Sequence, residues 1–248
     1  MNTSKSILAL ILALGCVSAL AEEATEYDIR ALIWKYDDTY GSSVRQAMMA
    51  AAEEIGAELG ITINLTMYDA ADDMAKQVEQ ATILVGEKPD FVIINLAEVA
   101  SGQQLVDMFT EAGIPFLFYN KEPSAETVQS VVVDSGSIFI GTTPREAGDM
   151  QGEILADMWA EDTSIDRNGD GMLQFVEFMG EPNNPEAIAR TQYSEETAIA
   201  LGVPLEAVLE DPIVANWDTA QANERMTATW AAHPEIEVVF CNNDAMAL

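Results

Sequence analysis

The stretch Asp90-Phe-Val-Ile-Ile-Asn95-Leu96 carries four consecutive large hydrophobic residues between polar ones. Side chains alternate between the two faces of a strand, so a strand with this run is apolar on both faces. Such strands are typical of parallel sheets that helices cover on both sides. Ile114–Asn120 has the same character. The two stretches therefore predict buried strands of a parallel sheet, with Asn95 at the carboxyl end of the first.

Helical periodicity alternates with strand patterns around this stretch. The predicted order is strand Ile29–Lys35, helix Ser43–Leu59, strand Ile61–Tyr68, helix Asp72–Val85, strand Asp90–Leu96, helix Gly102–Ala112 and strand Ile114–Asn120. Strands that alternate with helices favour an α/β fold with helices on both faces of a parallel sheet.

Two β-type runs, Val128–Asp134 and Ile138–Gly141, follow without a helix between them. We interpret this interruption as a crossover between two domains. A second series follows: helix Arg145–Trp159, strand Gln174–Met179, helix Pro185–Leu201, short strand Val203–Leu209, helix Thr219–Ala232 and strand Ile236–Cys241.

The second series contains a helix with a defined face and ends in the first turn of another helix. Helix Arg145–Trp159 has Ala147, Gln151, Ile154 and Met158 along one face. Another helix begins at Asp244, and the sequence ends after one turn of it. We therefore expect the chain to be part of a longer protein, with its second domain incomplete.

The first 21 residues differ from the rest. Lys5 is the only charge, Ile7–Leu14 is apolar, and Ala19-Leu-Ala21 fits a signal-peptidase site. We predict a secretory signal peptide over residues 1–21; cleavage before Cys16, which would give a membrane-anchored lipoprotein, is the alternative. Removal of the leader leaves Cys241 without a disulfide partner, which is compatible with a bacterial envelope protein.

Composition excludes some functions. The chain has 42 acidic and 11 basic residues, a net charge of −31, which argues against nucleic acid as a partner because like charges repel. The one histidine, His233, precedes Pro234 in a predicted loop. There is no G-x-S-x-G motif, phosphate-binding glycine loop or histidine pair for a metal, so the sequence gives an enzyme little support.

The strongest local motif is Asp166-Arg-Asn168-Gly-Asp170-Gly-Met-Leu-Gln174-Phe-Val-Glu177. Oxygen-bearing side chains occupy its first, third, fifth and ninth positions, and a glycine is sixth, as in calcium-binding loops. An EF-hand would continue into a helix, whereas this continuation has β character. The last ligand is then either Glu177, at position twelve, or a carboxylate from elsewhere in the chain.

Ligands of open parallel sheets bind beyond the carboxyl ends of the strands. The candidate binding residues at those ends are Asp38, Tyr40, Asn95, Asn184, Glu186, Arg190, Trp217 and Asn243. Carboxylates, amides, a guanidinium and aromatic rings suit a neutral sugar, whose hydroxyls need polar partners and whose apolar faces stack on rings. These residue types alone do not decide between a sugar, an amino acid and no ligand. Each also has a plainer explanation: Asp38 as a helix cap, Trp217 as a core residue, and Arg190 as the ion-pair partner of Glu186.

Several motifs carry a resemblance to a known family: DRNGDGMLQFV, GEPNNPEAIART, WDTAQA, EVVFCNNDAMA, WKYDDTY, VIINL and GIPFLFYNKEP. They resemble the glucose- and galactose-binding proteins of bacterial methyl-galactoside ABC transporters, from about Tyr27 to Leu248. The resemblance implies a periplasmic-binding-protein type I fold, with two Rossmann-like parallel α/β lobes and a hinge near Ser135–Thr143. The lobes would span residues 27–137 and 138–248.

The resemblance also implies roles for the candidate residues. A hexose would lie between the lobes, with Asp38, Asn95, Arg190 and Asn243 as hydrogen-bonding groups and with Tyr40 and Trp217 as stacking rings. Two positions depart from the family pattern: Asn184 replaces a histidine and Glu186 replaces an aspartate. The longer carboxylate should enter the pocket or displace the sugar, so the exact hexose stays open.

For the calcium loop, the resemblance implies Ca²⁺ bound by Asp166, Asn168, Asp170, Gln174, the backbone carbonyl of Met172 and the carboxylate of Glu237. Glu237 opens the predicted strand Ile236–Cys241. If that strand is a parallel neighbour of Gln174–Met179, the carboxylate meets the loop. A solvent-exposed Glu237, with Glu177 as the ligand, is the alternative.

The resemblance implies partners and a location as well. These are the permease subunits of an ABC transporter, in some members a chemotaxis receptor, and the periplasm. A calcium-dependent structural or adhesive surface protein is the rival hypothesis.

Overall fold

The computed structural model describes residues 25–124, 127 and 138–248. The predicted signal peptide, the predicted strand Val128–Asp134 and the first residues of the predicted hinge lie outside the described residues. Among the helices that are described, none is both long and apolar enough to span a bilayer.

The first unit is a five-stranded parallel sheet with helices on both faces. Its elements are β1 (Glu26–Ile33), α1 (Thr39–Leu59), β2 (Thr62–Asp69), α2 (Met74–Glu87), β3 (Phe91–Ile94), α3 (Gly102–Ala112), β4 (Phe116–Tyr119) and β5 (Ile138–Ile140). The strand order is β2-β1-β3-β4-β5, and each neighbouring pair is parallel. The parallel α/β fold predicted for this unit is confirmed.

β3 and β4 lie in the middle of the first unit, and every residue of both strands is buried. On one face, Ile94 and Phe118 pack with Leu84 of α2 and Phe109 of α3. On the other face, Ile93 and its neighbours pack against side chains of α1. The uniformly apolar sequence of β3 thus reflects a strand covered on both sides.

The second unit is a smaller parallel sheet. Its elements are α4 (Pro144–Glu161), β6 (Leu173–Met179), α5 (Pro185–Ala200), β7 (Leu205–Ala207), β8 (Ile213–Val214), α6 (Thr219–Ala232), β9 (Val238–Cys241) and α7 (Asp244–Ala247). β6 pairs with β7 and then β8 along one side and with β9 along the other, always in parallel. The carboxyl ends of β6, β8 and β9 therefore lie at one edge.

The boundary between the units differs from the predicted one. We expected the second domain to start at Ile138, but β5 pairs with β4 and extends the first sheet. The compact units divide after Gly141, so the second begins at Thr142. The two-residue strand β8 was not predicted, because so short a run gives no alternation pattern to detect.

The buried face of α4 also differs from the expected apolar one. Ile154 and Met158 are 58% and 49% exposed, whereas Gly148, Gly152 and Leu155 are buried. A Cβ atom on Gly152 would lie 2.8 Å from both the Ala198 nitrogen and the Ser194 oxygen of α5. The glycines therefore allow the backbones of α4 and α5 to approach closely.

Candidate functional site

At the carboxyl edge of the first sheet, Asp38 follows β1 and caps α1. One of its carboxylate oxygens accepts a hydrogen bond from the Gly41 amide, so the capping explanation of Asp38 holds in the structure. Tyr40, in the first turn of the helix, leaves 57% of its surface exposed. An exposed aromatic ring beside a carboxylate can receive the apolar face of a ligand.

Asn95 follows β3, next to β1, and is only 3% exposed. Its backbone N–H donates to the carbonyl of Leu32 in β1. Its side-chain Oδ1 accepts from Asn120 Nδ2 at 3.4 Å. Tyr119, the last residue of β4, is buried, and its hydroxyl lies near the Asn95 side chain. Burial raises the pKa of Tyr119 well above its usual value, so the hydroxyl stays protonated.

At the carboxyl edge of the second sheet, Asn184 caps α5 by accepting from the Glu186 amide at 2.9 Å. Glu186 is buried and pairs with Arg190 Nη2 at 3.0 Å, while its other oxygen accepts from the Thr142 hydroxyl at 3.3 Å. Arg190 also donates from Nη1 to the Asn242 carbonyl at 2.7 Å. The predicted pairing of Arg190 with Glu186 is therefore present, and it gives a locally neutral, preorganised pair.

Trp217 lies at the same edge. Its ring packs directly on the Gly180 backbone, since a Cβ atom there would lie 2.2 Å from the ring. Asn216 and Trp217 both have left-handed backbones, with φ of 50° and 63°, and such strain is concentrated at functional sites. The indole Nε1 is buried without a partner in the described part of the chain. Trp217 is thus held at the edge by glycine contact and turn geometry.

Asn243 and Asn242 follow β9. Asn243 caps α7 by accepting from the Met246 amide at 3.0 Å, and its Nδ2 lies 3.5 Å from the Trp217 carbonyl. Asn242, which the site prediction omitted, is buried and accepts from the Gly180 amide at 3.0 Å. It therefore connects the residue under the Trp217 ring with Arg190. The doublet Asn242-Asn243 was visible in the sequence, but not which member lies inward.

The calcium-type loop forms a compact set of turns between α4 and β6. Asp166 accepts from the Gly169 and Gly171 amides at 2.7 and 2.9 Å, and both glycines have positive φ. Asn168 and Asp170 each accept from the amide two residues ahead. The Gln174 amide bridges Asn168 at 2.8 Å and Asp170 at 3.0 Å. Asn168, Asp170 and Gln174 are thus linked by hydrogen bonds, while Asp166 binds the amides of the two glycines.

Glu237 lies against this loop, and β9 is the parallel neighbour of β6. Its Oε1 accepts from the Asn168 amide at 3.1 Å and from the Arg167 amide, whereas its Oε2 is buried with no partner in the described ranges. Glu206 of β7, which sequence reasoning missed, accepts from Gln174 at 3.0 Å. A buried carboxylate oxygen without a partner, beside oxygen-bearing side chains, fits a hard cation.

Three carboxylates, two amides and a carbonyl would make up this donor set. Within the described residues, no group of three or more Asp, Glu, His or Cys side chains converges closely enough to hold a metal ion. The loop side chains instead hydrogen-bond to loop amides. Calcium binding would therefore require them to turn toward Glu237 Oε2.

Glu177, the alternative calcium ligand, contacts α5 rather than the calcium-type loop. It lies in the middle of β6 and accepts from the Ser194 hydroxyl of α5 at 3.0 Å. Burial raises the pKa of Glu177 to about 8. The hypothesis that Glu177 closes the loop was wrong, because β6 alternates its side chains and turns this one toward α5.

His233 and Cys241 are two side chains that enzymes commonly use as a base or a nucleophile. His233 sits beside Glu235 near the surface, with Nδ1 and Oε1 3.1 Å apart. Cys241 is buried, and burial raises the pKa of its thiol to about 11, so the reactive thiolate is scarce near neutral pH. Neither His233 nor Cys241 is therefore arranged as an activated nucleophile–base pair.

Comparisons with known proteins agree with this picture. A family model described as a periplasmic binding protein domain matches residues 31–248. The chain is 34% identical to the D-galactose/methyl-galactoside binding periplasmic protein of Haemophilus influenzae, over 98% of this chain and 70% of that protein.

Solved structures give the fold. A solute-binding protein of an ABC transporter from Bacillus halodurans, with bound myo-inositol, matches with a TM-score of 0.72 and 22% identity, over 92% of this chain and 70% of that one. A counterpart from Actinobacillus succinogenes, with bound D-allose, has a TM-score of 0.71 and 19% identity, over 89% of this chain and 71% of that one. At these identities the likeness extends to the fold alone.

Proposed function

The chain belongs to the periplasmic binding protein family, and from that membership we propose that it is the sugar-binding component of an ABC transporter. The observation that carries the proposal is the carboxyl edge of the second sheet. There the Trp217 ring packs on Gly180, and Asn242 connects Gly180 with Arg190, which pairs with Glu186. A ring and preorganised polar groups are what a pyranose needs.

We propose a neutral hexose, related to galactose or glucose, as the ligand. Support comes from charge: the carboxylate of Glu186 pairs with Arg190 at 3.0 Å, so these two groups together carry no net charge that would select an ionised ligand. Asp38, Tyr40 and Asn95 would contribute from the first unit and Asn184 and Asn243 from the second. The Haemophilus relative, a galactose and methyl-galactoside binder by name, supports the same class.

The Glu186 position bears on which hexose fits. Its two oxygens are engaged by Arg190 and Thr142, so the carboxylate already has two partners within the protein. These contacts favour the proposal that Glu186 orients Arg190 and that the sugar is bound mainly by the other polar groups. A sugar hydroxyl would then meet Arg190 and Asn184 before it meets Glu186.

The protein would deliver its sugar in the periplasm to the permease of the transporter, and a chemotaxis receptor is a second candidate partner. The rival function, a calcium-dependent adhesive or structural surface protein, predicts calcium binding without any response to sugar. Relatives in this family bind substrates for transport, which favours a binding protein over an enzyme.

We expect Trp217→Ala to weaken binding of the preferred hexose by roughly 30-fold, since a stacked ring contributes its buried area and about 1 kcal/mol more. A calorimetric series with glucose, galactose, xylose, ribose and methyl-galactosides identifies that hexose and measures the loss. Trp230→Ala is the matched control, because Trp230 is an exposed indole beside Arg167. Equal affinity in wild type and Trp217→Ala would contradict the proposed site.

We propose that the loop and Glu237 bind Ca²⁺ as a structural ion. Calcium at thirty times its Kd should stabilise the second unit by about 2 kcal/mol, through mass action on the folded state. Glu237→Gln should abolish this gain, while Glu177→Gln should retain it. Thermal unfolding with calcium and with chelator measures both. A full calcium response in Glu237→Gln would refute the assignment.

A further inference from the structure

Gln77 of α2 is completely buried in the first unit, although its amide is polar. Its Nε2 donates to the Asn95 carbonyl at 2.8 Å, and its Oε1 accepts from the Ala97 amide at 2.8 Å. One side chain thus bridges both sides of Leu96. These bonds lie immediately beyond the end of β3, and they satisfy the Asn95 carbonyl and the Ala97 N–H.

The bridge explains why a glutamine occupies this core position. A leucine there would avoid burying an amide, but it would leave the Asn95 carbonyl and the Ala97 amide without a partner, and each such group costs about 1–3 kcal/mol. Asn95 is itself 3% exposed, so water cannot easily replace Gln77. The glutamine therefore fixes the backbone that carries the Asn95 side chain.

A second group holds the same turn. Lys121, 4% exposed, donates from Nζ to the Ala97 carbonyl at 3.1 Å and lies 4.0 Å from the centre of the Trp34 ring. In addition, the backbone N–H of Asn95 donates to the carbonyl of Leu32 in β1. The turn Asn95–Ala97 is thus held by α2, β1 and the segment after β4, which is far more support than an ordinary exposed loop receives.

We propose that Gln77 is a positioning residue for sugar recognition: its amide sets the backbone of Asn95 so that the Asn95 carboxamide faces the ligand in a fixed orientation. This inference rests on the proposed function, in which Asn95 contacts the sugar. Gln77 itself touches no ligand. Its effect is transmitted through the single turn Asn95–Ala97, and a displacement of that turn by a fraction of an ångström misdirects the hydrogen bond.

The test uses the full chain and the hexose that binds most tightly in calorimetry. Gln77→Met keeps the length and volume and removes both hydrogen bonds; we expect about a tenfold loss of affinity. Gln77→Glu is nearly isosteric and keeps the acceptor for Ala97, and it serves if the methionine variant does not fold. The matched control is Gln80→Met, which removes one bond from α2 to the Asp69 carbonyl at 2.8 Å and should leave affinity unchanged.

A double-mutant cycle with Asn95→Ala separates positioning from general destabilisation. If Gln77 acts through Asn95, adding Gln77→Met to Asn95→Ala costs no further affinity. Undiminished affinity in Gln77→Met, or losses that add fully in the double variant, would overturn the positioning role alone. A wild-type chain that binds none of the sugars would overturn the proposed function, and with it this role.

Discussion

At pH 9, the Glu177→Gln variant is expected to be more stable than the wild-type chain by about 3 kcal/mol, whereas near pH 4 the two should be equally stable. The folded state raises the pKa of Glu177 from 4.5 to about 8 because the carboxyl is buried beneath α5. The folded chain therefore holds this proton more tightly than the unfolded chain. The contribution of Glu177 to stability is therefore complete below about pH 4.5 and is lost as the pH rises through about 8.

The magnitude follows from the size of the shift. Each pKa unit corresponds to about 1.4 kcal/mol, so the full shift sets a ceiling near 5 kcal/mol. Part of the side chain reaches solvent, which reduces the effect to about 3 kcal/mol. Glutamine keeps an acceptor for the Ser194 hydroxyl and cannot ionise. The variant therefore avoids the cost of burying a charged carboxylate at high pH and keeps the hydrogen bond to Ser194.

Urea unfolding at pH values from 4 to 9 tests this prediction. Tryptophan fluorescence follows chiefly the second unit, which contains three of the four tryptophans, Trp159, Trp217 and Trp230. Glu224→Gln, an exposed change on α6, alters the net charge equally and is the control. A difference between Glu177→Gln and wild type that does not vary with pH would contradict the prediction.

Gly152→Ala is expected to destabilise the second unit by about 3 kcal/mol. The new methyl group would lie 2.7 Å from Thr197 Cβ and 2.8 Å from two backbone atoms of α5, and backbone cannot move aside as a flexible side chain can. Helices α4 and α5 would have to separate, and overpacking of this kind costs about 1–3 kcal/mol, occasionally more. Chemical denaturation at pH 7 measures the loss.

Gly86→Ala gives the matched control, because nothing lies within 4 Å of the added methyl group on that helix of the first unit. Alanine there should stabilise by about 0.5–1 kcal/mol through helix propensity. The two substitutions are chemically identical and should have opposite signs. A Gly152→Ala chain as stable as wild type would show that α4 and α5 do not pack as closely as described.

Apolar runs were sufficient to predict most strands, because a strand such as β3 has no solvated side to obscure the pattern. They failed for the packing of α4. The apolar residues Ile154 and Met158 lie outside, and the contact with α5 is made through Gly148 and Gly152. Close backbone approach depends on the absence of a side chain, which a search for hydrophobic periodicity cannot detect.

The candidate site was predictable to the extent that topology decides it. Residues that follow parallel strands lie at the carboxyl edge of their own sheet whatever their type, so Asn95 after β3 and Asn243 after β9 could be placed from the sequence. Gln77 and Asn242 could not, because a buried amide in a helix, or one of two adjacent asparagines, looks like any other polar residue. Both side chains act through hydrogen bonds to backbone groups that are at least 18 residues away in the sequence.

The neighbours β6 and β9 each join one end of the second sheet to the other. β6 lies between the loop that begins at Asp166 and Gly180. β9 lies between Glu237 and Asn242, and the two strands are parallel neighbours. Inserting or deleting one residue in either strand would shift both of its ends relative to the partner and reverse the direction of every side chain beyond the change. The spacing between the two ends is therefore fixed in whole residues: related chains should differ there by substitution, and gain or lose residues only in the connecting loops.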